Sequence, residues 1–253
     1  MATTDRIGQD QVLAIDVGAT YIKFAHVTTS GTVLDEATRT RTPYPCWPNQ
    51  LVQTLSNLIV ESPCHSIAVG FPGEFVNGVV IEPGNLSRVG GISTAVDPLI
   101  EQQWRRFNLQ MALCESTHRD VRVVNDATLA ALGCSRGVGR EFVVTLGTGF
   151  GIALVVDGVV ERIRDVGAEE YVDDRTYDEL LGEPSRRDNE QEWNAFLRSA
   201  VQSFVCEFRA DTVHLGGGNA RRVTPDLFMG ESFTVVLHDN EAPLRGAAKL
   251  FGH

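Results

Sequence analysis

Four short segments set glycines, hydroxyls and carboxylates where an apolar strand ends. The first is Asp16-Val17-Gly18-Ala19-Thr20-Tyr21-Ile22-Lys23. A glycine between two strands lets bare backbone approach a phosphate oxygen closely; Thr20 adds a hydroxyl donor and Lys23 a neutralising charge. Asp16, at the strand's end, could hold a hydrated Mg2+ through water, because that ion keeps several of its waters. Taken alone, the same residues would also make an ordinary tight hairpin with a surface lysine. The second segment is Leu146-Gly147-Thr148-Gly149-Phe150-Gly151. It reads either as a sharp sheet turn or as a hairpin whose amides face an anion. Its recurrence about half a chain after the first favours phosphate binding by Gly18 and Thr20 in one turn and Gly147, Thr148 and Gly149 in the other.

The third segment, Val123 to Ala131, delivers Asn125 and Asp126 from a strand to a helix start rich in small residues. Asn and Asp there would cap the helix. A carboxylate in that place could also take the proton of a hydroxyl attacking a phosphoryl group. The fourth, Leu215-Gly216-Gly217-Gly218-Asn219-Ala220, could admit a nucleotide's phosphate or adenine against bare backbone, or mark a close chain crossing.

The elements that must position these residues follow from hydrophobic periodicity. Strands are expected over residues 11–17, 21–28 and 32–42, with Ser30-Gly31 as a hairpin turn, and again over 141–146 and 152–157, with Asp157-Gly158 as another. Further strands are expected at 66–71, 121–124, 213–215 and 233–237. Helices are expected at 48–60, 94–107, 126–134, 175–182, 189–209 and 242–250. Alternation of the two kinds gives an α/β fold, and the repeated strand–glycine turn–strand unit suggests duplication. The expected lobes are residues 1–124 and 125–241, with the last helix, 242–253, returning to the first.

Composition narrows the function. The chain has 253 residues, 43% of them hydrophobic, and a formal net charge of -11. That balance argues against a general nucleic-acid or anionic-membrane surface, both of which need clustered Lys and Arg. Cys46, Cys64, Cys114, Cys134 and Cys206 are odd in number, spread out and free of CxxC pairs, so neither structural zinc nor a disulfide framework is expected. The polar residues 1–11 carry no apolar signal-peptide core, and no apolar run approaches a membrane span. A soluble cytoplasmic protein is the expectation. His65, His118, His214 and His238 lie singly in the sequence without ligand spacing, and Trp47, Trp104 and Trp193 read as core or helix-face residues.

In order, DVGATYIK, GFPGEF, NDATLAA, LGTGFG and GGGNA resemble the ROK family of sugar kinases from about Val12 to Phe251, and the short length resembles its polyphosphate glucokinase-like branch. The resemblance implies a two-lobed actin-like ATPase fold (ribonuclease H-like) of duplicated α/β domains closing over an interdomain cleft. It implies Asp126 as the general base, with Asp16, Gly18, Thr20 and Lys23 serving one phosphate turn and Gly147, Thr148 and Gly149 the other. Gly216, Gly217 and Gly218 would lie by the nucleotide, and Asn85, Asn125, Asp126 and Asp165 would contact the sugar. The partners implied are Mg2+ with ATP or polyphosphate as donor and a glucose-like hexose as acceptor; homodimerisation stays open.

The sequence departs from the family pattern after the second turn. Where the family usually shows Glu-x-Gly-His, this chain has Asp165-Val166-Gly167-Ala168, and the family's cysteine-rich zinc loop is absent. The phosphoryl-transfer residues are present while the sugar clamp is altered. Glu169 or Glu170 could compensate through a shifted loop. Two further functions therefore stand beside the hexose kinase: a non-catalytic sugar or metabolite sensor, and a kinase of another small polar metabolite. About ten residues precede the first strand, too few for a DNA-binding helix-turn-helix, so a transcription factor is not expected.

Overall fold

A computed structural model describes residues 10–91, 94–224 and 226–252. In chain order, the first elements are β1 (Gln11–Val17), β2 (Tyr21–Thr28), β3 (Thr38–Arg41), α1 (Pro48–Glu61), β4 (Ser66–Phe71), β5 (Glu74–Val76), β6 (Val79–Glu82), α2 (Pro98–Trp104), α3 (Leu109–Thr117), β7 (Asp120–Asn125) and α4 (Asp126–Cys134). There follow β8 (Arg140–Leu146), β9 (Phe150–Val156), β10 (Val159–Glu161), β11 (Glu170–Val172), β12 (Arg175–Thr176), α5 (Tyr177–Leu181), α6 (Glu183–Asp188), α7 (Glu190–Phe208), β13 (Thr212–Gly216), β14 (Thr234–Leu237) and α8 (Ala242–Lys249). The described residues fall into two compact units, one drawn from Met1–Leu129 and Pro243–His253, the other from Ala130–Ala242.

Each unit is built on a five-stranded sheet, ordered β3-β2-β1-β4-β7 in the first and β10-β9-β8-β13-β14 in the second. In both, three antiparallel strands are followed by two parallel ones. The duplication expected from the repeated glycine turns is therefore a duplication of whole sheets. The central strands β1 and β8 have neighbours on both sides, and both faces of each are covered. This is why VLAI and FVV read as unbroken apolar runs.

In the first unit, β1 sends alternate residues to opposite faces. Leu13, Ile15 and Val17 join Leu51, Leu55 and Ile59 of α1 and Leu113 of α3 in one core. Val12 and Ala14 join Leu244, Ala247 and Ala248 of α8 in another, where small side chains predominate. In the second unit, Phe142, Val144 and Leu146 pack with the apolar stripe of α7, from Trp193 and Leu197 to Phe204. Asn189 starts α7 by accepting the Glu192 N–H at 3.2 Å. Trp104 and Trp193 are fully buried, and their indole N–H groups donate to the carbonyls of Cys46 (2.7 Å) and Leu181 (2.8 Å). Among the described residues no helix is long and apolar enough to cross a membrane.

Three expected elements differ. The strand over 32–42 shortens to β3, because the side chain of Asp35 intercepts the ladder: its Oδ1 accepts the His26 N–H at 2.8 Å and its Oδ2 sits 2.6 Å from His26 Nδ1. The helix over 94–107 begins only at Pro98, where Asp97 caps it by accepting the Leu99 N–H at 2.9 Å. Proline is suited to a helix's first turn and not its interior. The helix over 175–182 loses its first two residues to β12, and Thr176 caps what remains as α5.

Candidate active site

In the first unit the site is assembled around Gly70. The parallel pairing of β1 with β4 sets Asp16 beside Gly70, and the hairpin sets it across from Lys23. A Cβ on Gly70 would lie 2.9 Å from Leu129 Cδ2, 3.4 Å from Asp126 Cα and 3.6 Å from Asp16 Oδ1. Only a residue without a side chain leaves that space open, so the Asp16 carboxylate and the start of α4 approach the same gap. Burial lifts the Asp16 carboxyl from 3.8 to about 6, while the charge of Lys23, itself largely buried, opposes the rise.

Asp126 opens α4, and its Oδ1 accepts the Ala127 N–H at 2.7 Å. Asn125 caps the same helix, its Oδ1 accepting from the N–H groups of Ala127 (2.9 Å) and Thr128 (3.2 Å). Asn125 Nδ2 donates to the Gly73 carbonyl at 2.7 Å. Its Oδ1 and one amide hydrogen are thus spent on framework, leaving one N–H for a ligand. Gly73, at φ +136°, is packed so closely that a Cβ would stand 2.2 Å from the Glu82 carbonyl and 3.1 Å from Gly84 N. Gly84 directly precedes Asn85, so the grip of Asn125 on Gly73 ties both asparagines into one framework.

Two residues that the sequence did not single out close the ring. Thr42 Oγ1 donates to the Gly18 carbonyl at 2.6 Å, and the Thr42 N–H donates to the Thr20 carbonyl at 3.2 Å. The Tyr44 hydroxyl donates to the Ala19 carbonyl at 2.8 Å and lies 3.4 Å from the Asn85 carbonyl. Each carbonyl of the Gly18–Thr20 turn is engaged from behind, and the Thr20 side chain is left exposed. No spacing rule points to Thr42 or Tyr44; the two prolines flanking Tyr44 mark only a constrained loop.

In the second unit, the Gly147–Gly149 turn between β8 and β9 closes through a Gly147 N–H to Gly149 carbonyl bond of 3.1 Å. Asp178 is wedged beneath it. Its Oδ1 accepts the Phe150 N–H at 2.7 Å, and a Cβ on Gly149 or Gly167 would stand 2.4 or 2.8 Å from that oxygen. The Gly147 carbonyl accepts from the Glu183 N–H and from Asn219 Nδ2, both at 3.0 Å. Gly217, at φ +85°, leaves a Cβ no more than 2.4 Å from the Leu146 carbonyl. The turn and the run Gly216–Gly218 are therefore bound to one another. Gly149 and Gly217 are glycines for packing, whereas a Cβ at Gly147 or Gly218 would meet nothing within 4 Å. Those two positions leave room for a ligand's approach.

Asp165 is exposed, and its Oδ1 accepts the Gly167 N–H at 3.0 Å. Glu169 is paired with Arg164 at 3.2 Å, so a compensating role for it would require breaking that pair.

His214 and His238 do not stand alone. Parallel pairing of β13 with β8 and β14 brings His214 Nε2 to 2.7 Å from Glu141 Oε2 and His214 Nδ1 to 2.8 Å from His238 Nε2. Glu141, buried, also accepts the N–H groups of Arg136 (2.8 Å), Gly137 (2.7 Å) and Val138 (3.3 Å). Burial pushes its carboxyl up, but these donors and His214 outweigh burial and hold it below its ordinary 4.5. Among the described residues, no group of three or more His, Cys, Asp or Glu is placed to hold a metal ion.

A model of the ROK family matches residues 12–163. The chain belongs to the ROK family. Over 161 residues it is 29% identical to a glucokinase of Halalkalibacterium halodurans, a match covering 58% of this chain and 44% of that relative. The inorganic polyphosphate/ATP-glucomannokinase of Arthrobacter sp. strain KM has a similar structure, with TM-score 0.78 and 25% identity over 96% of this chain and 98% of the other. A ROK family glucokinase from Streptomyces griseus, solved with glucose and AMPPNP, superposes with TM-score 0.69 at 18% identity, covering 95% of this chain and 98% of the other. The two-sheet α/β architecture is thus that of the ROK sugar kinases, an actin-like fold.

Proposed function

We propose that this ROK chain is a sugar kinase that moves a phosphoryl group from ATP to a hydroxyl of a hexose, with Asp126 as the general base. The observation that carries the reading is the gap at Gly70, which Asp16 and the start of α4 approach from separate elements. The resemblance to proteins named glucokinase and glucomannokinase supports a hexose acceptor. Polyphosphate is a second donor to test, on the same resemblance.

In this mechanism the acceptor hydroxyl is held so that its oxygen faces the terminal phosphorus. Asp126 takes the hydroxyl proton as the new O–P bond forms and the bond to the leaving phosphate oxygen breaks. The amides of the Gly18–Thr20 and Gly147–Gly149 turns, with the Thr20 and Thr148 hydroxyls and Lys23, are assigned to the donor's phosphates. The Gly216–Gly218 run is assigned to its nucleoside end. Asp16 offers hard oxygen donors suited to Mg2+, and a cation beside it would draw out the charge that burial disfavours. When bound with the donor, that ion supplies charge neutralisation on the transferring phosphates.

The test is hexose phosphate formation from D-glucose and D-mannose, with ATP or polyphosphate as donor and Mg2+ present. ATP-dependent product with at least one sugar is expected. Binding of D-glucose without turnover on either donor would instead favour a sensor, a reading motivated by Asp165 and Ala168 at the family's clamp positions.

A further inference from the structure

We propose that Arg88 is a positioning residue for the acceptor, locking the Asn85 carboxamide so that only its N–H groups are presented to the sugar. This rests on the reading of Asn85 as an acceptor contact. Asn85 lies on the short 3-10 turn Gly84–Ser87, and its side chain can in principle rotate to exchange oxygen for nitrogen. Arg88 removes that freedom. Its Nε sits 2.9 Å from Asn85 Oδ1, and a guanidinium can only donate. The carbonyl oxygen must therefore face Arg88, and the two amide hydrogens face the other way.

Arg88 is itself held on several sides. Its Nη1 donates to the Thr94 carbonyl, and its backbone N–H reaches the Asn85 carbonyl at 3.3 Å. An isolated bridge pairs Arg88 with Val96, and the Asp97 N–H donates to the Ser87 carbonyl at 2.8 Å. No carboxylate pairs with Arg88 among the described residues, so its hydrogen bond to Asn85 has no ionic competitor. The Tyr44 hydroxyl, which donates to the Ala19 carbonyl, lies 3.4 Å from the Asn85 carbonyl.

A carboxamide locked this way recognises an oxygen lone pair and rejects a group that only donates. It serves as a specificity element for one hydroxyl of the acceptor.

The experiment compares Asn85→Ala, Arg88→Ala, Arg88→Lys and the Asn85→Ala/Arg88→Ala double variant. It measures kcat and KM for D-glucose at saturating ATP, D-glucose affinity by calorimetry, and thermal shift to confirm folding. Asn85→Ala and Arg88→Ala should each raise KM and Kd about 10-fold with kcat within about threefold, as loss of uniform binding does. The double variant should be no worse than Asn85→Ala, because the two act through one hydrogen bond. Arg88→Lys, which still donates, should recover part of the affinity. If Asn85→Ala weakens D-glucose binding and Arg88→Ala does not, or if the effects simply add, the role of Arg88 is overturned while the sugar site stands. If Asn85→Ala changes nothing in an active enzyme, Asn85 is no acceptor contact and the inference falls without the kinase. Should the wild type neither bind nor phosphorylate D-glucose, the hexose reading falls first and takes the inference with it.

Discussion

Asp16 and Asp126 come from different elements, the end of β1 and the start of α4, and meet at one glycine. The Cβ position of Gly70 lies 3.6 Å from Asp16 Oδ1 and 3.4 Å from Asp126 Cα. The sheet register brings this about: β4 runs parallel to both β1 and β7, so Gly70 pairs with Asp16 on one side and Val124 on the other. A substituent there crowds the Asp16 carboxylate and the Asp126 backbone together, that is, the proposed ion-holding group and the support of the proposed base. Gly70→Ala should leave the chain folded, because Leu129 Cδ2, the closest atom at 2.9 Å, ends a side chain that can turn aside. The backbone of Asp126 has less freedom. Turnover should fall about 10- to 100-fold, the scale of a sub-ångström misplacement, with a Tm loss of only a few degrees.

Asp16 should trade stability for function. Burial favours the neutral acid in the fold, with a value of about 6, whereas the unfolded chain ionises at its ordinary 3.8. Between those values the folded chain keeps a proton that the unfolded chain has released, so stability falls as pH rises from about 4 to about 6. Asp16→Asn carries no such charge. At pH 8, without Mg2+ or nucleotide, it should be more stable than wild type by something on the order of 2 kcal/mol, with the gap closing near pH 4. Its turnover should be lost, since an amide offers no charge to a cation. Thermal melts of both proteins across pH 4 to 8 check the sign.

Glu141 should behave in the opposite way. Three backbone N–H groups and His214 surround a buried carboxylate. Glu141→Gln has one oxygen to accept with and sets an N–H against donors. It should cost about 3–5 kcal/mol, as breaking a buried charged network does. Because the folded carboxyl is held below its ordinary 4.5, this stabilisation is present above that pH and fades as pH falls through the folded value. Urea melts at pH 7 and pH 4 should show a large gap between variant and wild type in the first and a smaller one in the second.

The glycine turns were legible because their chemistry is local. Gly18 and Gly147 announce themselves within a few residues of an apolar strand, and repetition of that unit was enough to expect a duplicated architecture. The braces were not legible. Thr42 and Tyr44 act on Gly18, Ala19 and Asn85 from 24 to 41 residues away, and Asp178 reaches Phe150 across 28. Nothing in the short-range pattern encodes such pairs. Glu141, His214 and His238 read as a strand's first residue and two unrelated histidines until parallel pairing stacks their strands. Asn125 shows the same limit from the other side: its residue type fitted a helix cap, the family resemblance implied a sugar contact, and the fold commits most of its hydrogen bonds to the cap.

The most direct measurement is the single-turnover rate of Asp126→Asn with ATP, Mg2+ and the hexose that wild type uses best, alongside calorimetric binding of that hexose. The amide keeps the size of the side chain but cannot take a proton from the acceptor hydroxyl. The rate is expected to fall at least about 1,000-fold with hexose affinity changed by less than about fivefold and Tm within a few degrees. A variant that transfers phosphoryl groups within about tenfold of the wild-type rate would contradict the assignment of Asp126 as base.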